Sequence, residues 1–336
     1  METNSESKTN TNIVFNSQMS QSNLYNSALN SSMKTTHQKN SNNFSLLQTP
    51  RNIYNNYINE EKNISERKQN EETPRKITEE ELNEVLHEYK PLNDDIEVQK
   101  LPPKIMEDGG YYFGEWTLDG KNRHGRGIYI YDNDAKYIGQ WANDKPNGQG
   151  KYIQDNTNYY EGTFYDGKFN GHGKLVENGS IYEGDFREDK QEGIGKEKWP
   201  DGAVYEGEYK NGVKCGNGKF RWDNGTTYEG QFDNNQINGQ GKYTFTDGRK
   251  YNGDWKDNKI NGKGKFEWPD GRIYEGEYKN DKKDGYGIFY WPDGRIYKGY
   301  WKDGKQNGIG EFFHPKKNKW KKGEWEKGKR IKWLDD

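Results

Sequence analysis

What most constrains this chain is a short unit, Tyr-x-Gly-x-aromatic and then Gly-x-Gly-x-aromatic, that keeps returning. Copies begin at Tyr112, Tyr137, Tyr160, Tyr182, Tyr205, Tyr228, Tyr251, Tyr274 and Tyr297, and a truncated copy, KKGEWEKG, follows at Lys321. From Tyr182 to Tyr297 every step is 23 residues, a fixed period that marks a repeat architecture. Parity then gives the local structure. In the copy at Tyr205, Tyr205, Gly207 and Tyr209 share one side of an extended strand, and Glu206 and Glu208 share the other. Gly216, Gly218, Phe220 and Trp222 repeat the alternation on the next strand, opposite Asn217, Lys219 and Arg221. Each unit therefore reads as a β-hairpin with an aromatic and glycine face and a charged face, the glycines leaving room for neighbouring rings.

The connections agree. Asp201-Gly202, Asn224-Gly225, Asp247-Gly248, Asp270-Gly271 and Asp293-Gly294 lie between units, and Asx-Gly between strand residues signals a tight hairpin. Pro200, Pro269 and Pro292 precede three of them, where a fixed φ suits the second position of a type I turn.

These units resemble MORN repeats, from Tyr112 to about Trp325. The resemblance implies an all-β repeat protein: an elongated, single-layer, twisted antiparallel sheet of consecutive hairpins. Three departures stand out. The first unit has two extra residues before Gly125, the fourth has Glu197 where an aromatic is expected, and the ninth replaces its Asx-Gly turn with Pro315-Lys316-Lys317-Asn318-Lys319.

Composition supports a sheet with an aromatic rather than an aliphatic core. Only 28% of residues are hydrophobic while 15% are aromatic, against about 45–50% apolar, glycine included, in ordinary globular domains. The apolar surface is thus spread along a quasi-one-dimensional array. A net charge of -2 gives no overall field favouring nucleic acid. Cys215, the single cysteine, precludes an intramolecular disulfide. The N-terminus lacks a basic-then-apolar signal pattern, and no apolar run is long enough to span a membrane, which predicts a soluble cytoplasmic protein.

Outside the array the chain changes character. Residues 1–76 are expected to be a disordered tail, since the first seventy contain 16 Asn and 11 Ser and only small apolar islands. Thr49-Pro50-Arg51 and Thr73-Pro74-Arg75 repeat one another within it. Residues 77–108 are read as a capping helix, 79–90, and an extended connector. Thr78 and Glu81 form a capping box, Ile77 and Leu82 are placed as a staple, Leu82, Val85, Leu86 and Tyr89 form one stripe, and Pro91 ends it. The nine-repeat array occupies 109–313. Residues 314–336 form the truncated repeat and a basic cap, with nine Lys or Arg against two Glu between His314 and Lys332, whereas residues 107–313 hold 31 basic and 35 acidic side chains.

No catalytic constellation is visible, and no cofactor or metal is expected. The Gly-x-Gly pairs lack the third glycine or lysine of a phosphate cradle. Glu206, Glu208, Glu275 and Glu277 recur as structural positions, and His37, His87, His124, His172 and His314 have no metal-ligand spacing. By resemblance, proteins with these repeats include enzymes carrying a separate catalytic domain, membrane-junction proteins, and cytoskeletal or ciliary scaffolds. The expected function is a non-enzymatic scaffold or adaptor for protein partners in a cytoskeletal or ciliary assembly, with Trp268, Trp291 and Trp301 as candidate anchors. The alternative is peripheral binding of anionic phospholipid by Lys316, Lys317, Lys319, Lys321 and Lys322. Self-association through open sheet edges is a further expectation.

Overall fold

The computed structural model describes residues 78–334; the tail, the Thr-Pro-Arg pair and the staple residue Ile77 lie outside them. The chain divides into two compact units, one ending at Asp223 and the other beginning at Asn224. The first carries α1 (Glu79–Glu88), β1 (Val98–Ile105), β2 (Tyr111–Thr117), β3 (Arg123–Ile130), β4 (Lys136–Ala142), β5 to β8 over residues 145–187, β9 (Lys190–Lys198), β10 (Val204–Lys210) and β11 (Val213–Arg221). In the second, β12 and β13 occupy residues 227–244, followed by β14 (Lys250–Lys256), β15 (Lys259–Glu267), β16 (Ile273–Lys279), β17 (Lys282–Tyr290), β18 (Ile296–Lys302), β19 (Lys305–His314), β20 (Lys319–Glu326) and β21 (Lys329–Trp333). Within each unit every strand pairs antiparallel with the next in sequence, giving a single layer of hairpins as the repeat pattern predicts.

The repeat at Tyr251 shows why its residues are needed. Gly253 pairs with Gly264 across β14 and β15, and a Cβ on Gly253 would lie 2.5 Å from the Gly264 Cα. The Tyr251 ring lies across this pair, so that a Cβ on Gly264 would stand 2.3 Å from its hydroxyl. That hydroxyl donates back to the Asp254 carbonyl at 3.0 Å. Tyr251 is fully buried, and Trp255 and Tyr278 meet it edge-on at 5.3 and 5.5 Å. Edge-to-face pairs contribute about 0.5–1.5 kcal/mol each beyond buried area. The same contacts recur from Tyr112, set between Trp116 and Trp141 at 5.2 Å each, to Tyr297, set between Trp301 and Trp325.

Beyond the glycine pair the register breaks. Asp254 alone faces residues 261–263, because Trp255 next pairs with Ile260. This bulge frees the Lys263 amide, which donates to the Asp254 carboxylate at 2.6 Å. Glu208, Gln231 and Glu115 hold the corresponding amides of Asn217, Gln240 and Arg126. Of the two carboxylates that the parity pattern placed on the charged face, Glu208 is therefore bound to the backbone, while Glu206 stays exposed beside Lys196.

Two kinds of turn alternate. Inside the hairpin, Asp257 and Asn258 both have positive φ, 50° and 64°, as a type I′ turn requires. The Asn258 carboxamide then accepts from the Ile237 amide at 2.7 Å, tying this turn to the preceding repeat. Between hairpins, the Gly271 amide donates to the Trp268 carbonyl and the Trp268 amide to that of Arg272, each at 3.0 Å. Pro269 thus takes the second position of a type I turn, and Gly271, at φ +86°, supplies the left-handed residue after it.

At the first unit's start the helix forms as the capping box predicts: the Glu81 amide donates to the Thr78 hydroxyl at 3.1 Å, and the Thr78 amide to the Glu81 carboxylate at 2.8 Å. It stops at Glu88, two residues early, because Tyr89 is already extended ahead of Pro91. The stretch read as a connector is extended, and from Val98 it pairs with β2, with a register break between Leu101 and Lys104 at the two prolines. An outermost strand tolerates this loss of donors.

Gly271→Val places a β-branched residue at positive φ and is expected to lower stability by about 1–3 kcal/mol, while exposed Lys279→Gln changes it little. Thermal unfolding of the two variants checks the contrast; equal effects would contradict the turn assignment.

Candidate partner-binding faces

The two faces of the sheet differ sharply. On the ring face of the second unit a file of aromatics runs beside the tyrosines: Phe266 to Trp268 at 4.4 Å, Trp268 to Phe289 at 5.8 Å, Phe289 to Trp291 at 4.5 Å and Trp291 to Phe312 at 5.8 Å. Trp268 and Trp291 are half-buried, with the Arg272 and Arg295 guanidinium groups over their rings. Trp301 is only 6% exposed; it packs against Tyr274 and Tyr297, and its indole N–H donates to the Gly287 carbonyl. The structure thus brings Trp268 and Trp291 into one ridge and places Trp301 in the core.

Two cations are set into this face. Glu197, the departure in the fourth repeat, is buried and accepts from the Lys214 ammonium at 2.8 Å and the Tyr209 hydroxyl at 2.9 Å. Lys214 in turn lies 4.7 Å from the Trp199 ring and 5.2 Å from that of Tyr205. A salt bridge and its cation–π contacts replace the missing ring. Burial, with the Glu197 charge adding to it, pushes the nearby Glu177 carboxyl up to about 7. In the second unit Lys283 takes the equivalent of the Lys214 position. Its ammonium lies 4.5–5.2 Å from the rings of Phe289, Trp301, Tyr274 and Trp268. Burial holds it down to about 7, with Arg272 adding repulsion.

The five lysines of the basic end do not share a face. Lys316 and Lys317 lie on a single 3₁₀ turn, Pro315–Lys317, and both are exposed, as is Lys319. Alternation along β20 then sets Lys321, whose ammonium is 5.4 Å from the Trp333 ring, on one side and Lys322 on the other. At the end of the second unit, β21 carries Lys329, Arg330 and Lys332, so the last strand is blunted by charge.

The face opposite the rings is the one sequence reading described least well, simply as a charged face. In the first unit α1 lies on it: Leu82 and Val85 pack with Phe113, Ile128 and Ile130, bordered by Leu86, Tyr89, Tyr111 and Ile138. Arg126 donates to the Leu86 carbonyl, and the Gln140 amide group donates to that of Lys90 at 2.7 Å. In the second unit an apolar row runs across β16–β20 in strict register, Ile273 to Tyr290 to Ile296 to Phe313 to Trp320. The signal for it was present in Ile273 and Ile296, which precede the repeat tyrosines Tyr274 and Tyr297, and in Tyr290 and Phe313, three residues after a Gly-x-Gly, but each looked isolated before strand pairing aligned them.

Residues weighed for chemistry sit elsewhere. His124 meets Asp94 at 2.9 Å and His172 meets Asp185 at 3.2 Å, and among the described residues no group of three or more potential ligands could hold a metal. Cys215 is half-buried in β11 opposite Glu208. No helix among the described residues is long and apolar enough to cross a membrane.

Nine contiguous or near-contiguous segments between residues 112 and 319 match the MORN repeat. The chain belongs to the MORN-repeat family, a class of repeat scaffold. No curated protein matches it. Among solved structures it is similar to the TCP domain of Drosophila melanogaster SAS-4 (dCPAP) in complex with a proline-rich motif of Ana2, at 12% identity over 46% of this chain and 85% of that one, TM-score 0.31. The TCP10 domain of Danio rerio CPAP is 15% identical over 64% of this chain and 94% of its own, TM-score 0.28.

Three variants test the inclusions. Lys214→Met, which strands the Glu197 charge, is expected to destabilise by about 3–5 kcal/mol, and Glu197→Phe with Lys214→Ile to recover most of it; denaturant unfolding of both decides. Lys283→Ile, which copies buried Ile237 and Ile260, is expected to stabilise by about 1–2 kcal/mol. Because the folded pKa is depressed, the unfolded chain holds the extra proton between about 7 and 10.5. The lysine's penalty is therefore full below about pH 7 and shrinks as pH rises across that window. Melting temperatures of the variant and parent should converge with rising pH; a difference independent of pH would contradict this.

Proposed function

We propose that this chain is a non-enzymatic scaffold that binds protein partners through the faces of its repeat sheet, within a cytoskeletal or ciliary assembly. The supporting observation is how the repeat's polar residues are used. Glu208 and Asp254 hold bulge amides, and the repeat tyrosines donate to their own backbone. Burial pushes the Tyr137 hydroxyl well above the ordinary tyrosine range, so it stays a donor. What remains for recognition is open aromatic and apolar surface: the Trp268 and Trp291 ridge on one face and the row ending at Trp320 on the other. Large desolvated rings are the usual source of partner affinity. The cytoskeletal or ciliary setting rests on the family alone.

Peripheral lipid binding is the second reading, motivated by the lysines around Trp320. Five lysines on one plane would each contribute about 1 kcal/mol near an anionic surface, but Lys321 and Lys322 lie on opposite faces, which weakens their joint action. Changing Lys316, Lys317, Lys319, Lys321 and Lys322 to Gln is expected to leave partner recovery in pull-downs intact. Binding of the purified chain to phosphoinositide vesicles at physiological salt is expected to be weak or absent. Tight vesicle binding abolished by the five-lysine change would reverse the order of the two readings.

A further inference from the structure

We infer that the outer face of β16–β20 is a docking site for an acidic amphipathic helix of a partner protein, a reading that rests on the scaffold function above. The argument begins with α1. In the first unit that helix sets its apolar stripe on Tyr111, Ile128 and Ile130. Tyr111 immediately precedes the first tyrosine of its repeat, and Ile128 and Ile130 follow the second glycine of the Gly-x-Gly by one and three residues. In the second unit Ile273 and Ile296 occupy the position of Tyr111, Ile288 that of Ile128, and Tyr290 and Phe313 that of Ile130. Both units therefore present the same apolar positions, and in the second no described helix covers them.

The size and chemistry of this surface fit a helix. Five strands at about 4.8 Å spacing make a row of roughly 19 Å, the length of about 13 helical residues at 1.5 Å each. The row is not enclosed: Ile273, Tyr290, Ile296 and Phe313 are half-buried and Trp320 is 36% exposed. The surface broadens toward the bulges, where Tyr286 and Tyr300 pair across β17 and β18 with rings 5.7 Å apart. Tyr300 stands where Glu208 and Asp254 cap their bulges, so the ninth repeat carries an aromatic in place of a backbone acceptor. Tyr286 and Tyr300 are 46% and 56% exposed, and Ile309 beside them 41%. Such side chains on a solvated sheet face have no role in the repeat itself.

Charge selects the occupant. Lys298 lies over the Trp320 ring at 4.6 Å, alternation along β20 sets exposed Lys322 on the same face as Trp320, and exposed Lys316 and Lys317 sit on the turn that joins Phe313's strand to Trp320's. The covering helix of the first unit is itself acidic, with Glu79, Glu80 and Glu81 in its first turn, and an arginine donates to a carbonyl of its last turn. An apolar stripe flanked by carboxylates satisfies both the row and its lysines, with the rings supplying affinity and the lysines orientation.

The probe is a fluorescein-labelled peptide with the sequence of residues 77–91, added to the full chain. Fluorescence anisotropy is expected to show saturable binding, weakened at least tenfold by Tyr290→Glu with Phe313→Glu. Near-UV circular dichroism of the ring face reports whether that variant is folded. If it is not, Lys316→Glu, Lys317→Glu and Lys322→Glu together provide the second test. These should weaken binding several-fold, and a peptide whose glutamates are replaced by lysine should recover it. Binding that survives both sets of changes, or no saturable binding at all, overturns the inference. So does a dimer that Tyr290→Glu with Phe313→Glu dissociates, or cross-links that place residues 1–77 on β17–β20. Adsorption to anionic vesicles through the same residues overturns it as well. Partner recovery in pull-downs that survives Tyr290→Glu with Phe313→Glu would leave the scaffold reading intact while this site fails.

Discussion

The structure depends on one contact: a tyrosine ring lying flat on a cross-strand glycine pair. Removing both Cβ atoms lets the strands approach until a methyl group on Gly253 would touch the Gly264 Cα. The ring fills the trough above them and returns its hydroxyl to the backbone three residues on. Each ring also touches the aromatic of its own strand and that of the next repeat, as Tyr274 touches Tyr278 and Trp301. One residue per repeat therefore joins local hairpin, sheet and neighbour, and a single layer can be stable without a second layer behind it.

This arrangement explains why the bulges and turns take the form they do. A strand drawn close at the glycine pair must diverge afterwards, and the three-for-one bulge absorbs the mismatch. The amide so released is held by the side chain that follows the glycine on the facing strand. The type I′ turn beyond it ties back to the previous repeat through Asn258 or, one repeat later, Asp281, which accepts from the Ile260 amide at 2.8 Å. Polar residues at fixed positions thus complete hydrogen bonds that the ring packing leaves open.

Much of this was legible in the sequence. Period, strand parity, the Pro-Asx-Gly turns and the capping box each rest on local rules, and local rules transfer directly to the fold. Three things were not legible. Glu208 looked like a charged-face residue because the bulge that recruits it depends on pairing with the facing strand. Glu197 looked like an imperfection because its compensation by Lys214 lies 17 residues away. The apolar row from Ile273 to Trp320 was hidden because one member comes from each of five strands, and only their register makes it a surface.

A corollary bears on where function can be read in such an array. Positions fixed by the repeat are already committed to folding, so their recurrence says nothing about a partner. Information about recognition must lie where a repeat departs from its neighbours without a folding reason. Glu197 is a departure with a folding compensation. Tyr300 is a different kind: it abandons the acceptor that Asp254 provides and exposes a ring instead, next to Tyr286 and Ile309. Along the outer face of the second unit, Lys250 and Glu267 pair in register before the apolar row begins at Ile273. A uniform array under selection for folding alone would not change character there, and the change coincides with the positions that α1 covers in the first unit.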